Sequence, residues 1–222
     1  MFMPPTVSNP EGPVGALTVG TAGGGANWPG GAYDPETHVA YVFSQSISRL
    51  LGLARPDPKD SDVDFVQGPI SEPDSNPAGL TVQGLPLLKP PYGRITAINM
   101  DTGAIVWQIA HGETPDNVRT HPALKDLNIA RTGRPGIIGT LVTRSLVIAG
   151  EPDFSTTPSG LRGAMLRAYD KKTGSEVGAI YLSAPQSGSP MTYMLNGKQY
   201  LVIAISGPNY SGELVAFKLP GN

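Results

Sequence analysis

Ala97-Ile98-Asn99-Met100-Asp101-Thr102-Gly103-Ala104-Ile105-Val106-Trp107 sets the pattern on which the fold is read. Ala168-Tyr169-Asp170-Lys171-Lys172-Thr173-Gly174-Ser175-Glu176-Val177-Gly178 repeats it. A third copy, Ala32-Tyr33-Asp34-Pro35-Glu36-Thr37-His38-Val39-Ala40-Tyr41-Val42, keeps Ala, Tyr, Asp and Thr but puts His where the others have Gly. Gly212-Glu213-Leu214-Val215-Ala216-Phe217 repeats only the entry strand Gly93-Arg94-Ile95-Thr96-Ala97-Ile98. Each full copy reads as strand, tight turn, strand. The Asn or Asp caps the turn through its side chain, and the Gly supplies a left-handed residue. A hairpin of this kind buries neither face alone, so neighbouring copies must stack.

Working outward, the runs Val39 to Phe43, Arg94 to Asn99, Ala104 to Ile109 and Thr140 to Ala149 are rich in strand-forming residues. Met165 to Asp170, Val177 to Leu182, Pro190 to Leu195, Gln199 to Ile205 and Glu213 to Leu219 read the same way, bounded by turn residues. Asn196-Gly197 between two of them predicts a type I′ hairpin, whose central positions both need positive φ. Helical patterning is scarce. Thr120 to Asn128 places Ala123, Leu124 and Leu127 on one face, and Ile47 to Leu53 reads as one short helix. Ser46 to Pro91, with eight prolines, breaks the rhythm and is read as an inserted excursion in one domain spanning residues 1–222. The chain is all-β.

Composition narrows the function classes. The 28 Gly and 23 Pro are dispersed, as many short strands and turns require. A net charge of −2 gives no electrostatic reason to expect nucleic acid as a partner. No cysteine is present, which excludes disulfides, thiolate metal sites and Cys nucleophiles. No apolar run is long enough to span a bilayer. Met1 to Pro5 lacks the basic and apolar regions of a secretory signal, so the expectation is a cytoplasmic protein or a chain without the natural N-terminus of an exported one.

Familiar catalytic motifs fail on inspection. Asp60-Ser61-Asp62-Val63-Asp64 imitates the start of a calcium loop, but Phe65 stands where Gly is required and Ser71 where a bidentate Glu belongs. His38, His111 and His121 have no zinc-site spacing. Gly23 and Gly25 lack the third glycine of a dinucleotide fingerprint. Glu113, Asp116, Arg119, His121, Asp153 and Arg162 fall in loops that could rim a pocket, with solvated loop charge as the default reading. No metal ligand set and no catalytic residue is assigned from the residues.

Four segments carry a resemblance. The repeat Ala-φ-Asp-x-x-Thr-Gly-x-x-φ-Trp, complete only at Trp107, resembles the tryptophan-docking motif of pyrroloquinoline quinone (PQQ)-dependent dehydrogenases. Gly24-Gly25-Ala26-Asn27-Trp28-Pro29-Gly30-Gly31-Ala32-Tyr33-Asp34-Pro35 looks like the family's Gly-Gly-x-Asn-Trp segment. Gly139 to Gly150 is similar to its penultimate-blade strand pair. Pro190-Met191-Thr192-Tyr193-Met194-Leu195-Asn196-Gly197-Lys198-Gln199-Tyr200-Leu201-Val202 is similar to its last-blade signature. The resemblance runs from about Gly20 to the C-terminus and leans toward the membrane-bound glucose dehydrogenase branch.

That resemblance implies a β-propeller of the quinoprotein dehydrogenase type, here only about three to four blades of about 40 to 45 residues each, a partial propeller. It implies the C-terminal propeller segment of a periplasmic sugar or alcohol dehydrogenase that passes electrons through PQQ to a quinone or cytochrome acceptor. It implies that Asn27 and Trp28 bind the cofactor, Asn27 through its amide and Trp28 as a wall. The Ca²⁺ ligands and the base Asp of the family belong to blades that precede the matched part. Missing blades would come from a longer parent chain or from self-association. Read from the residues alone, Asn27 instead caps a Gly-rich turn and Trp28 fills the core between blades. The alternative function is a non-catalytic propeller module for binding or scaffolding.

Overall fold

The computed structural model describes residues 6–19, 24–68, 79–157 and 159–220. Gly23, Ser71 and residues 69–78 of the Pro-rich excursion lie outside them. The chain divides into two compact units, Met1–Gly25 with Ser46–Lys89, and Ala26–Gln45 with Pro90–Asn222.

The second unit holds three antiparallel sheets. The first has the order Ile105–Ala110, Gly93–Asn99, Val39–Gln45, Gly31–Asp34. The second runs Leu141–Val142, Leu146–Gly150, Arg162–Asp170, Glu176–Leu182, with Ser155–Thr156 added on the start of the third of these. The third runs Met191–Leu195, Lys198–Gly207, Tyr210–Lys218. All are meanders in chain order, and the ends of the predicted strands recur within three residues. The run Thr140 to Ala149 is split by a turn in which Thr143 Oγ1 accepts from Leu146 N at 3.1 Å.

The repeated turns are built by one device. Asn99 Oδ1 accepts from Asp101 N, Thr102 N and Thr102 Oγ1 at 3.0, 2.9 and 3.0 Å. Asp170 Oδ1 does the same for Lys172 N, Thr173 N and Thr173 Oγ1 at 3.0, 2.9 and 3.0 Å. Asp34 accepts from Glu36 N and Thr37 Oγ1. Gly103 and Gly174 close their turns at φ +71° and +74°, and His38 takes the equivalent position at +54°. A non-Gly residue pays steric strain there. His38 offsets it through Nδ1, 2.9 Å from the Asp101 carboxylate of the neighbouring hairpin. Asn196 and Gly197 both have positive φ, as a type I′ turn demands.

Alternation along the strands produces two apolar layers. Tyr41, Phe43, Ile95, Ala97 and Trp107 of the first sheet meet Val147, Ala149 and Tyr169 of the second. Ile148, Ala164, Leu166 and Leu182 on the second sheet's opposite side meet Leu201, Ile203 and Ile205 of the third. The sheets therefore stack in chain order, with the second covered on both faces. This is the all-β, stacked-sheet arrangement of a partial propeller.

The joint between the first two sheets centres on Lys171. Its carbonyl accepts from Trp107 Nε1 at 3.0 Å and from Tyr41 OH at 3.1 Å. Its buried ammonium donates to Asp34 Oδ2 at 2.6 Å, which holds the Asp34 carboxyl below its ordinary range. Trp107 lies flat enough on Gly174 that a Cβ there would fall 2.9 Å from the indole ring.

Helix is confined, among the described residues, to Asp116–Arg119 and the 3₁₀ turn Pro122–Leu124. The helix expected over Thr120 to Asn128 contracts to that 3₁₀ turn: Pro122 suits its first position, but the segment buries no residue against the sheets that would extend it. The helix expected over Ile47 to Leu53 is absent. Ser48–Leu51 instead pairs antiparallel with Ala16–Val19, and Leu53–Ala54 with Val66–Gln67. Seven residues are too few to nucleate an isolated helix, whereas a ladder satisfies their backbone at once.

Trp107→Ala is expected to lower stability by about 3 to 5 kcal/mol, the usual cost of emptying a large aromatic site. Trp107→Phe, which keeps most of the packing but loses the bond to Lys171, should cost nearer 1 kcal/mol. Urea midpoints of the two variants measure both terms.

Candidate functional site

The chain enters the first sheet through Asn27-Trp28-Pro29-Gly30. Asn27 Oδ1 accepts from Trp28 N at 2.7 Å, and the Asn27 carbonyl accepts from Gly30 N at 2.9 Å. Gly30 O in turn accepts from Phe43 N at 2.8 Å, tying the turn to the sheet. A Cβ on Gly30 would fall 2.6 Å from the Asn27 carbonyl oxygen, so only glycine closes the turn this tightly. Asn27 caps the turn, as its residue type suggests. Trp28 does not fill a core: it is 97% exposed. An open indole face beside an exposed amide is equipped to stack on a planar ligand and to donate to its oxygens.

A second concentration of chemistry lies between the first and second sheets, and the sequence gives it no signature. Glu151 is fully buried. Its carboxylate accepts from Arg167 Nε at 2.9 Å, Glu113 N at 2.9 Å and Met165 N at 3.2 Å. Arg167, also buried, bonds Glu176 at 3.0 Å and Glu113. Arg131 closes the network on Glu176 at 2.7 Å. Burial alone would lower the Arg167 pKa, but the Glu151 carboxylate more than reverses this and holds the guanidinium charged. Beside them, His111 Nε2 lies 3.0 Å from Gly150 O and Nδ1 lies 2.8 Å from Tyr169 OH. Because a carbonyl only accepts, Nε2 carries the proton and Nδ1 accepts from the tyrosine. Burial, reinforced by Arg167, pushes the His111 pKa down to about 4.

The loop charges are not free in solvent. Asp116 pairs with Arg119 at 2.6 Å and lies 3.8 and 3.7 Å from Arg134 and Arg162. Asp153 pairs with the buried Arg134 at 3.2 Å. His121 Nδ1 accepts from Ala123 N at 3.2 Å. None of them meets Asn27 or Trp28. Among the described residues no group of three or more His, Asp or Glu is disposed to hold a metal ion.

The family model for the β-propeller domain of glucose/ethanol/alcohol dehydrogenases, designated PQQ, matches residues 1–201. The chain belongs to the PQQ-dependent quinoprotein dehydrogenases. Among the similar proteins of that family, a probable quinate dehydrogenase (quinone) of Xanthomonas campestris pv. juglandis is 28% identical over 89% of this chain and 26% of its own length. The quinoprotein glucose dehydrogenase of Escherichia coli K12 is 30% identical over 87% of this chain and 25% of its own. A solved quinohemoprotein alcohol dehydrogenase of Comamonas testosteroni superposes with a TM-score of 0.48 at 18% identity, covering 82% of this chain and 22% of that one. The chain thus spans about a quarter of the length of the curated relatives it matches.

The geometry explains which of these residues are legible in the sequence and which are not. Asn27 and Trp28 stand out because Gly-Gly-x-Asn-Trp is contiguous. The Glu151–Arg167–Glu113 set and the His111–Tyr169 pair span 16 to 58 positions, and no local pattern announces such pairings. Only the mixture of charged residues inside apolar strands, Arg167 between Leu166 and Ala168 above all, hints at them.

His111 gives the stability of this unit a pH dependence of known sign. Its folded pKa of about 4 lies below the ordinary histidine value of 6.5. The unfolded chain therefore binds a proton that the folded chain refuses, so stability falls as pH drops through 6.5 toward 4 and is flat above. Between pH 7 and pH 5 the loss from this group is about 2 kcal/mol. In urea denaturation, His111→Gln should be less stable at pH 7 yet lose about that much less on acidification to pH 5.

Proposed function

We propose that this chain is the C-terminal propeller segment of a PQQ-dependent sugar or alcohol dehydrogenase, and that Asn27 and Trp28 form one wall of its cofactor pocket. The observation that carries this reading is the exposure of Trp28, on a turn held rigid by Gly30 and anchored to the first sheet. A tryptophan 97% exposed serves no packing role among the described residues, and large exposed aromatics on rigid supports are binding groups. The Asn27 amide donates to a quinone or carboxylate oxygen, while Trp28 covers a face of the ring and excludes water from it. PQQ, when bound, supplies the two-electron acceptor for oxidation of the substrate's alcohol. The electrons then pass to a quinone or cytochrome acceptor.

The rest of the pocket comes, on this reading, from sheets of a longer chain, which also carries the Ca²⁺ ligands and the catalytic base. The outer face of the third sheet accommodates such a neighbour: Met191, Leu195 and Leu214 lie there exposed, Leu214 at 77%. Its apolar character continues the stacking already made between the three sheets. Trp107 on Gly174 and Lys171 acts as the tryptophan dock between blades, and the Pro-rich stretch 46–91 is an insertion between two strands of one blade. A periplasmic location follows from the family reading. No helix among the described residues is long and apolar enough to cross a membrane.

Fluorescence titration of the full chain with PQQ tests the wall. Saturable quenching of the exposed tryptophan is expected, lost in Trp28→Ala and about fivefold weaker in Asn27→Ala, the worth of one hydrogen bond. Equal affinity in all three proteins defeats the assignment. Sedimentation of the same chain should show association that rises with concentration, and less of it in Leu214→Lys. A chain that stays monomeric throughout argues against an interface on the third sheet.

A further inference from the structure

The Asn27–Gly30 turn is anchored to its own sheet through Gly30, and the rest of the control over its position comes from what backs Pro29. Pro29 is backed by Gly139. A Cβ built on Gly139 would lie 2.3 Å from the Pro29 carbonyl oxygen, 2.1 Å from Ser189 Oγ and 2.9 Å from Ser189 Cβ. The φ of Gly139 is not in the left-handed region. What demands glycine here is space, not backbone conformation.

Gly139 itself has nowhere to retreat. Ile138 before it is buried in the core between the first two sheets. Thr140 after it donates from Oγ1 to the Tyr41 carbonyl at 3.0 Å. The Gly139 carbonyl accepts from Gln186 Nε2 at 2.7 Å, and the buried Gln186 is held in turn by Gly150 N, 2.6 Å from its Oε1. Segments leading to all three sheets thus meet at one residue: Pro29 before the first, Gly139 before the second, Ser189 before the third. Ser189 is exposed and its hydroxyl rotates freely, whereas the Pro29 carbonyl belongs to the backbone and moves only if the turn moves.

We propose that Gly139 is a positioning residue that sets where Asn27 and Trp28 stand. This rests on the reading of that turn as a cofactor wall. A methyl group at position 139 pushes the turn outward by about an ångström, enough to spoil a site that must present an amide and a ring face together. Ile138 is held by the core and Thr140 by the Tyr41 carbonyl, so the turn gives way before the chain on either side of Gly139 does.

The two tryptophans make this testable in the full chain. Trp28 and Trp107 give separate indole N–H resonances, assigned with Trp28→Phe. In the unsubstituted protein, added PQQ is expected to shift the Trp28 resonance and leave that of Trp107 unmoved. Gly139→Ala is expected to move the free Trp28 resonance, weaken the PQQ response about tenfold and leave Trp107 in place. If Gly139→Ala does not fold, Gly139→Ala with Ser189→Gly removes the serine clash and confines the strain to Pro29; the same outcome is expected of it. A Trp28 resonance and PQQ affinity unchanged in a folded variant overturn the proposal. If PQQ fails to move Trp28 in the unsubstituted protein while Gly139→Ala still does so without ligand, the positioning role stands and the quinone reading falls.

Discussion

The backbone carbonyl of Lys171 is the point through which the architecture is tied together. It takes hydrogen bonds from Trp107 and Tyr41 of the adjoining sheet, while the ammonium of the same residue is buried against Asp34. A buried ion pair seldom adds much net stability, because desolvating both charges offsets most of their attraction. Its contribution here is registry. With the Lys171 main chain and side chain both committed, the second hairpin can sit on the first in only one way. The turn device that presents Lys171 is therefore more than a way of reversing the chain. Asp170 fixes the backbone at 171 through 174, and that backbone is what Trp107 binds.

Much of this was legible because it is local. Asn99, Asp170 and Asp34 each announce a turn through their distance to a Thr three residues on; Asn99 and Asp170 close theirs in the same way, and Asp34 shares the bond to the Thr hydroxyl. The first hairpin of the third sheet follows from Asn196-Gly197 alone. His38 was legible as a deviation, a His in a Gly position, but not its resolution, since its partner Asp101 lies 63 residues away. The Ile47 to Leu53 segment misled for the same reason: a run of apolar residues without a strong period adopts the structure its remote neighbours offer, here Ala16–Val19.

The site shows both behaviours side by side. Asn27-Trp28 is a contiguous signature, and its turn closes as the glycines require. Whether the indole was core or surface lay beyond sequence reading, because that depends on which residues come to lie over it. Gly139 is legible only as the first residue of a strand-pair segment, with nothing local to mark its packing role. It sits among many glycines, and only coordinates distinguish one needed for a turn from one needed for a neighbour's carbonyl.

Gln45 and Gly93 face each other as partners at the mouth of the 46–91 excursion. The ladder between Val39–Gln45 and Gly93–Asn99 thus closes without reference to the length of chain between them. Loop-closure entropy grows slowly, about 0.6 kcal/mol for each doubling. Within the excursion, Gln83 and Gly84 make a tight turn at positive φ between Thr81–Val82 and Leu85–Pro86. A reporter spliced into the excursion would thus travel with the protein while the stacked sheets, closed by their own ladder, fold as before.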